Sequence, residues 1–165
     1  MQDYPATIDS PDDIHDGDTI ENVLIAIPHV KVLAGYAHTE IFPPNLFADE
    51  DGHVYLKVDI RLAGIDAPEV HPHRRAPDGK PRLPGDIAYE RQLAQKARQF
   101  VVDTLTAHHL QFTLKNIAYG KFASRLLAEV WAGETNLSTA LLEKGLAVPY
   151  EGGKKTTWKR PTPTA

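Results

Sequence analysis

Three acids and two arginines in this 165-residue chain are of the types, and in the settings, that phosphate chemistry requires. Asp18 lies in "DGDT". Arg61 opens the motif "RLAGIDAPE", and Asp66 and Glu69 close it. Arg125 lies in "KFASRLLAEV". Hard divalent cations are held by carboxylate and carbonyl oxygens gathered from separate loops. Pro68 restricts Ala67 to extended backbone. The turn can therefore present the Asp66 carboxylate and the Ala67 carbonyl to an ion, with Glu69 close by. Oxygen-only ligands favour Ca²⁺ over Zn²⁺. A phosphodiester under attack builds charge on its equatorial oxygens, and forked guanidinium groups bind such oxygens in pairs without losing their own charge. Arg61 and Arg125 are the candidates for that clamp. Taken alone, "DGDT" is an ordinary turn and each arginine an ordinary surface ion pair. Together they point to metal-assisted hydrolysis.

The elements that must position these groups are readable from periodicity. Val54, Leu56, Val58, Ile60 and Leu62 alternate with Tyr55, Lys57, Asp59 and Arg61, the signature of a half-buried strand that holds Arg61 off its greasy face. "DGDTIENVLIAI" leaves a Gly turn into another strand, which can continue past Pro28. Residues 70–86 form a Pro-rich, exposed basic loop with Arg74, Arg75, Lys80 and Arg82, placed to meet phosphates beside the site. Residues 86–107 are helical, with Asp86 as N-cap and a stripe of Leu93, Ala97, Phe100, Val101 and Leu105. "LQFTLKNIA" and "SRLLAEVWA" are strands. "TNLSTALLEKGLA" is a short helix capped by Thr135 or Asn136 and ended by Gly145. Several short strands with interspersed helices make an α+β domain on a small barrel. Residues 1–14 read as a flexible arm, 15–150 as the domain with an insertion around 28–53, and 151–165 as a basic tail too polar to pack, apart from Trp158.

Composition narrows the classes. Up to Ile60 there are twelve acids against two bases, and from Arg61 onward sixteen bases against ten acids, so the net charge of −4 hides a basic second part. That asymmetry suits a polyanion met by one face. No cysteine is present, which excludes disulfides and thiolate chemistry. The start lacks a secretory signal pattern and no apolar run reaches membrane-spanning length, so the expectation is a soluble protein, cytoplasmic as written or secreted if a leader was removed. His71 and His73 alternate as zinc ligands can, yet no third nitrogen ligand accompanies them.

"DGDT", "RLAGIDAPE", "KFASRLLAEV" and "NLSTALLEKGLA", in that order between Asp16 and Tyr150, resemble the staphylococcal nuclease (thermonuclease) family. The resemblance implies a five-stranded OB-type barrel with two to three packed helices. It also implies a Ca²⁺-dependent endonuclease that cleaves DNA and RNA, single strands by preference, and leaves 3′-phosphates as a monomer. Carried over by motif, Asp18, Asp66 and the Ala67 carbonyl bind the ion, Glu69 orients or deprotonates the water, and Arg61 and Arg125 clamp the phosphate. Lys121 and Tyr150 are expected at a terminal phosphate, with Arg74 and Arg75 on the basic loop. Two features depart from the family pattern. "KFASR" is one residue longer than usual, with Phe122 where tyrosine is common, and the connection from Thr19 to Arg61 carries an acidic insertion. The rival readings are a non-catalytic OB-type nucleic-acid binder and a protein-interaction module; neither needs all five charged residues together.

Overall fold

The computed structural model describes residues 2–32, 40–41 (as backbone), 45–121 and 125–163. In chain order the strands are β1 (Tyr4–Thr7), β2 (Ile14–Asp16), β3 (Thr19–Lys31), β4 (Glu40–Ile41), β5 (Leu46–Ala48), β6 (His53–Leu62) and β7 (Ile65–Asp66). Helix α1 (Pro84–Ala107) follows, then β8 (Gln111–Tyr119), β9 (Arg125–Ala132), β10 (Thr135–Asn136), α2 (Leu137–Glu143) and β11 (Val148–Pro149).

Five of these strands close a barrel. β1 pairs antiparallel with β3 and β8, β3 with β6, and β8 with β9, and the ring shuts through a parallel β6–β9 pairing. Closure leaves no edge unpaired along the ring. This is the expected α+β barrel, and it carries two α-helices among the described residues. Ile14, Ile20, Val23, Ile60, Leu62, Leu114 and Val130 fill the interior, joined by Ala97, Val101 and Leu105 of α1. Gly145, at φ +67°, ends α2 in the left-handed conformation that glycine adopts without penalty. The Asn136 side chain caps the same helix, accepting from the Ser138 and Thr139 amides. No helix among the described residues is long and apolar enough to cross a membrane.

The structure corrects three expectations. Residues 1–14 are not a loose arm, because Tyr4–Thr7 is a barrel strand with Ala6 and Ile8 in the core. A four-residue strand containing Pro5 has too little alternation to read in isolation; its partners on both sides define it. Asp86 is not the N-cap of α1. The helix starts at Pro84, whose fixed φ suits the first turn, and Asp86 instead accepts from Arg160. Residues 151–163 have little regular structure, yet they are tied to the body by long-range hydrogen bonds. Within the insertion, β5 pairs antiparallel with β6 and extends the sheet. Phe122 and most of residues 33–44 lie outside the described residues.

Candidate active site

The acids are delivered by two turns packed on α1. Asp16 ends β2, Gly17 and Asp18 make the turn, and Thr19 begins β3. Gly17 is required by proximity, since a Cβ there would sit 2.8 Å from the Ala97 Cβ of α1 and 3.2 Å from that of Ala67. Small residues at 17, 67 and 97 thus let both acidic turns approach the helix and each other. Asp18 then fastens the turns together. Its carboxylate accepts from the Ala67 amide (2.8 Å) and the Thr19 hydroxyl (3.0 Å), and its carbonyl accepts from the Leu62 amide (2.8 Å). Asp66, on β7, is braced by β11, with Val148 as its register partner.

Asp16, Asp18 and Asp66 are all buried. Arg61 Nη2 stands between two of them, 3.1 Å from Asp66 Oδ1 and 3.4 Å from Asp18 Oδ2. Lys155 Nζ lies 2.8 Å from Glu69 Oε1 and 3.9 Å from Asp66 Oδ1. Among the described residues, Asp16, Asp18, Asp66 and Glu69 thus share two permanent cations, Arg61 and Lys155. The surplus appears at Asp16, whose carboxyl is pushed up to about 8, first by burial and then by the charges of Asp18 and Glu69. Its Oδ1 is buried with no hydrogen-bond partner among the described residues. An orphaned buried carboxyl oxygen, surplus negative charge and an all-oxygen donor set fit a hard divalent cation. Glu69 behaves oppositely. Burial pushes it up, but the Lys155 hydrogen bond and charge outweigh that and hold its carboxylate below the usual range.

Strand register brings the arginines to one face. In the parallel β6–β9 pair Asp59 is opposite Arg125 and Arg61 opposite Leu127, so Arg61 and Arg125 lie on the same side of the pleat, one diagonal apart. Both line a cleft of about 410 Å³, together with Lys121, Tyr150 and Lys155. The Arg61 guanidinium lies 5.7 Å from the centre of the Tyr150 ring, while the Tyr150 hydroxyl donates to the Gly153 carbonyl (3.0 Å).

The basic loop is more ordered than its composition suggests. A bridge between Arg75 and Pro81, with the Ala76 amide donating to the Lys80 carbonyl and the Arg82 amide to the Arg74 carbonyl, makes it a tight hairpin. Arg74 and Arg75 are exposed, and Arg75 borders a second cavity of about 270 Å³ shared with Glu69, His73 and Lys155. Arg82 is a correction: it is not a free phosphate contact of the loop. Its side chain is buried, pairs with buried Glu90 at 2.6 Å, and donates to the His73 and Trp158 carbonyls. Glu90 Oε1 in turn accepts the Glu69 amide (3.1 Å), so the pair braces the turn that carries Glu69.

Sequence reasoning missed Asp16, Lys155 and the Arg82–Glu90 pair as parts of this site. For Asp16 the signal was present, two residues before Asp18, but Asp-Gly reads first as turn chemistry. Lys155 gives no local signal, because its partner is 86 residues away. The described residues also contain Asp49, Asp51 and His53 at metal-ligand spacing. There the Asp49 carboxylate accepts the Asp51 and His53 amides and closes the β5–β6 turn. The cluster lies at the start of β6, eight residues or about 26 Å from Arg61 near its end. His71 packs near His15, with ring centres 6.3 Å apart.

A family profile described as staphylococcal nuclease homologue matches residues 59–162, more than half of the chain. No curated protein matches it.

Proposed function

From the premise that the chain belongs to the staphylococcal nuclease family, we propose that it is a Ca²⁺-dependent endonuclease of DNA and RNA that leaves 3′-phosphate ends. One observation carries this reading: Arg61 and Arg125 share a cleft, and the cations that line it reach the acids, Arg61 pairing with buried Asp18 and Asp66 and Lys155 with Glu69. Asp18, Asp66 and the Ala67 carbonyl would hold the ion, with Asp16 supplying the remaining negative charge. Bound there, the ion would act as a Lewis acid on the phosphate and neutralise its charge. Arg61 and Arg125 bind the equatorial oxygens and stabilise the charge that grows on them during attack. Glu69 orients a water and takes its proton as the oxygen bonds to phosphorus. The P–O5′ bond breaks on the far side, the 5′-oxygen leaves and takes a proton from solvent, and the phosphate stays on the 3′ side.

Arg61 already sits on Asp18 and Asp66, so substrate and cation must draw it outward into the cleft together. That coupling favours a flexible single strand, whose phosphate can enter between the two arginines without duplex unwinding. Lys121 and Tyr150, at the same cleft, serve a neighbouring phosphate. Arg74 and Arg75 add long-range attraction for longer strands. The set is complete within one chain, so the proposed mechanism needs no second copy and the acting unit is taken to be a monomer.

The test is digestion of single-stranded DNA with Ca²⁺, Mg²⁺ or EDTA. The expected result is cleavage with Ca²⁺, little with Mg²⁺ and none with EDTA. Binding without cleavage under every condition would instead make the protein a nucleic-acid-binding module.

A further inference from the structure

Residues 151–163 present a physical puzzle. Apart from half-buried Trp158 they are largely polar, with little apolar surface to bury, yet they lie across the acidic cluster in a defined path. Four contacts fix that path. The Thr156 amide donates to Asp66 Oδ2 (3.1 Å), and the Trp158 carbonyl accepts from buried Arg82 (3.0 Å). The Arg160 amide and side chain both donate to Asp86 Oδ1 (3.2 and 3.1 Å). Lys155 donates to Glu69 Oε1 at 2.8 Å, the length of a charge-assisted bond. The segment is thus pinned on the C-terminal side of Lys155, and on the N-terminal side the Tyr150 amide donates to the Gly64 carbonyl (2.9 Å) and the Tyr150 hydroxyl to the Gly153 carbonyl (3.0 Å). A pinned backbone removes the backbone share of the entropic cost of holding the ammonium in place, leaving only the side chain's own rotamers to be fixed. Lys155 also lines both cavities, the arginine cleft and the one under the basic hairpin. Its ammonium therefore stands where the two meet, against the group assigned to the water.

We propose that Lys155 is a positioning residue for Glu69, and that residues 154–160 are the strap that delivers it. The inference rests on the nuclease reading above. Glu69 follows Pro68 in a turn, and its backbone is held through the Glu90 contact to its amide. Its side chain is partly exposed, and among the described residues it pairs with Lys155. Without that bond the carboxylate samples several rotamers, only some of which face the phosphate. Orientation lost in this way lowers the chemical step and leaves substrate binding largely intact.

The experiment compares the wild type with Lys155→Ala and Lys155→Arg in the full chain. It measures kcat and KM on a short single-stranded oligonucleotide at saturating Ca²⁺, and Ca²⁺ affinity by calorimetry. Lys155→Ala should lower kcat by about 10- to 100-fold, the usual cost of losing a group that orients a site residue. KM and Ca²⁺ affinity should stay within about twofold, and Lys155→Arg should recover most of the loss. The ion pair is partly exposed, so the melting temperature should barely move. If Lys155→Ala unsettles the strap, Lys155→Met keeps most of the length of the side chain without its charge or its donors and carries the same expectation. Three results overturn the proposal: an unchanged kcat, a raised KM at constant kcat (a phosphate ligand), or tighter Ca²⁺ binding with higher activity at low Ca²⁺ (a competitor of the ion). A wild type inactive with every cation overturns the nuclease reading itself, and this inference with it.

Discussion

Arg82→Gln should be among the most destabilising single changes in the basic hairpin, although composition alone would place this arginine with its exposed neighbours. The side chain is 7 % exposed and its partner Glu90 4 % exposed, with 2.6 Å between Nη2 and Oε2. Removing one member of a buried pair strands the other charge in a poorly solvated place, which costs about 3–5 kcal/mol. For a domain of this size that is roughly 6–20 °C of melting temperature. Among the described residues, Arg82 Nε and Glu90 Oε2 have no aligned hydrogen-bond partner. The pair is therefore held by charge at short range, and an uncharged partner cannot replace it. Lys80, in the same hairpin, pairs with Asp78 at 3.8 Å with both side chains exposed. Lys80→Gln should therefore change stability by no more than about 0.5 kcal/mol. Urea denaturation of the two variants at neutral pH gives the comparison. An Arg82→Gln, Glu90→Gln double variant should recover much of the single loss, because it removes the stranded charge. A loss below about 1 kcal/mol for Arg82→Gln, or no recovery in the double variant, would refute the reasoning.

Other perturbations test the remaining parts. Burial and the neighbouring carboxylates push the Asp16 carboxyl from its ordinary value of 3.8 up to about 8, so the folded state binds its proton more tightly. Its contribution to cation-free stability is complete below about pH 4 and is lost as pH rises towards 8, at up to about 1.4 kcal/mol per pH unit. Asp16→Asn should flatten that slope in denaturation curves at pH 5 and pH 8; an unaltered slope contradicts the assignment. Gly17→Ala should cost about 1–3 kcal/mol, since the new Cβ meets Ala97 at 2.8 Å. The same change should weaken Ca²⁺ binding measured by calorimetry, by moving Asp16 and Asp18 off α1. Arg61→Lys or Arg125→Lys should each lower kcat by about 10²–10³-fold, with a smaller change in KM, because a point charge cannot make the forked contact. Steady-state kinetics on an oligonucleotide decides this.

What was legible in the sequence follows a physical division. Asp18, Arg61, Asp66 and Glu69 belong to short motifs at strand ends, where alternation and Pro68 fix local geometry. The barrel followed from the same periodicities. Arg125 came from the family motif and not from periodicity, since β9 reads RLLAEVWA and has no clean alternation. The strand Tyr4–Thr7 was not legible, because four residues with a proline have no period of their own and depend on β3 and β8 for their pairing. Nor was the strap. Polar composition reports that a segment cannot build a core, but it does not report that Asp66, Arg82 and Asp86 offer it hydrogen-bond partners 70 to 90 residues away. Arg82 shows the converse, since a basic run in sequence does not distinguish a solvated cation from one buried against Glu90.

The central claim is that one cluster both binds the cation and cuts the phosphodiester bond. Its most direct test titrates Ca²⁺ into the wild type and into Asp18→Asn and Asp66→Asn by calorimetry, then adds a fluorescent single-stranded oligonucleotide to the same samples. The account predicts that Ca²⁺ binding and cleavage fall together in both variants while folding is retained, and that EDTA abolishes cleavage by the wild type. Cleavage at the wild-type rate by a variant that no longer binds Ca²⁺, or by the wild type in EDTA, would contradict it.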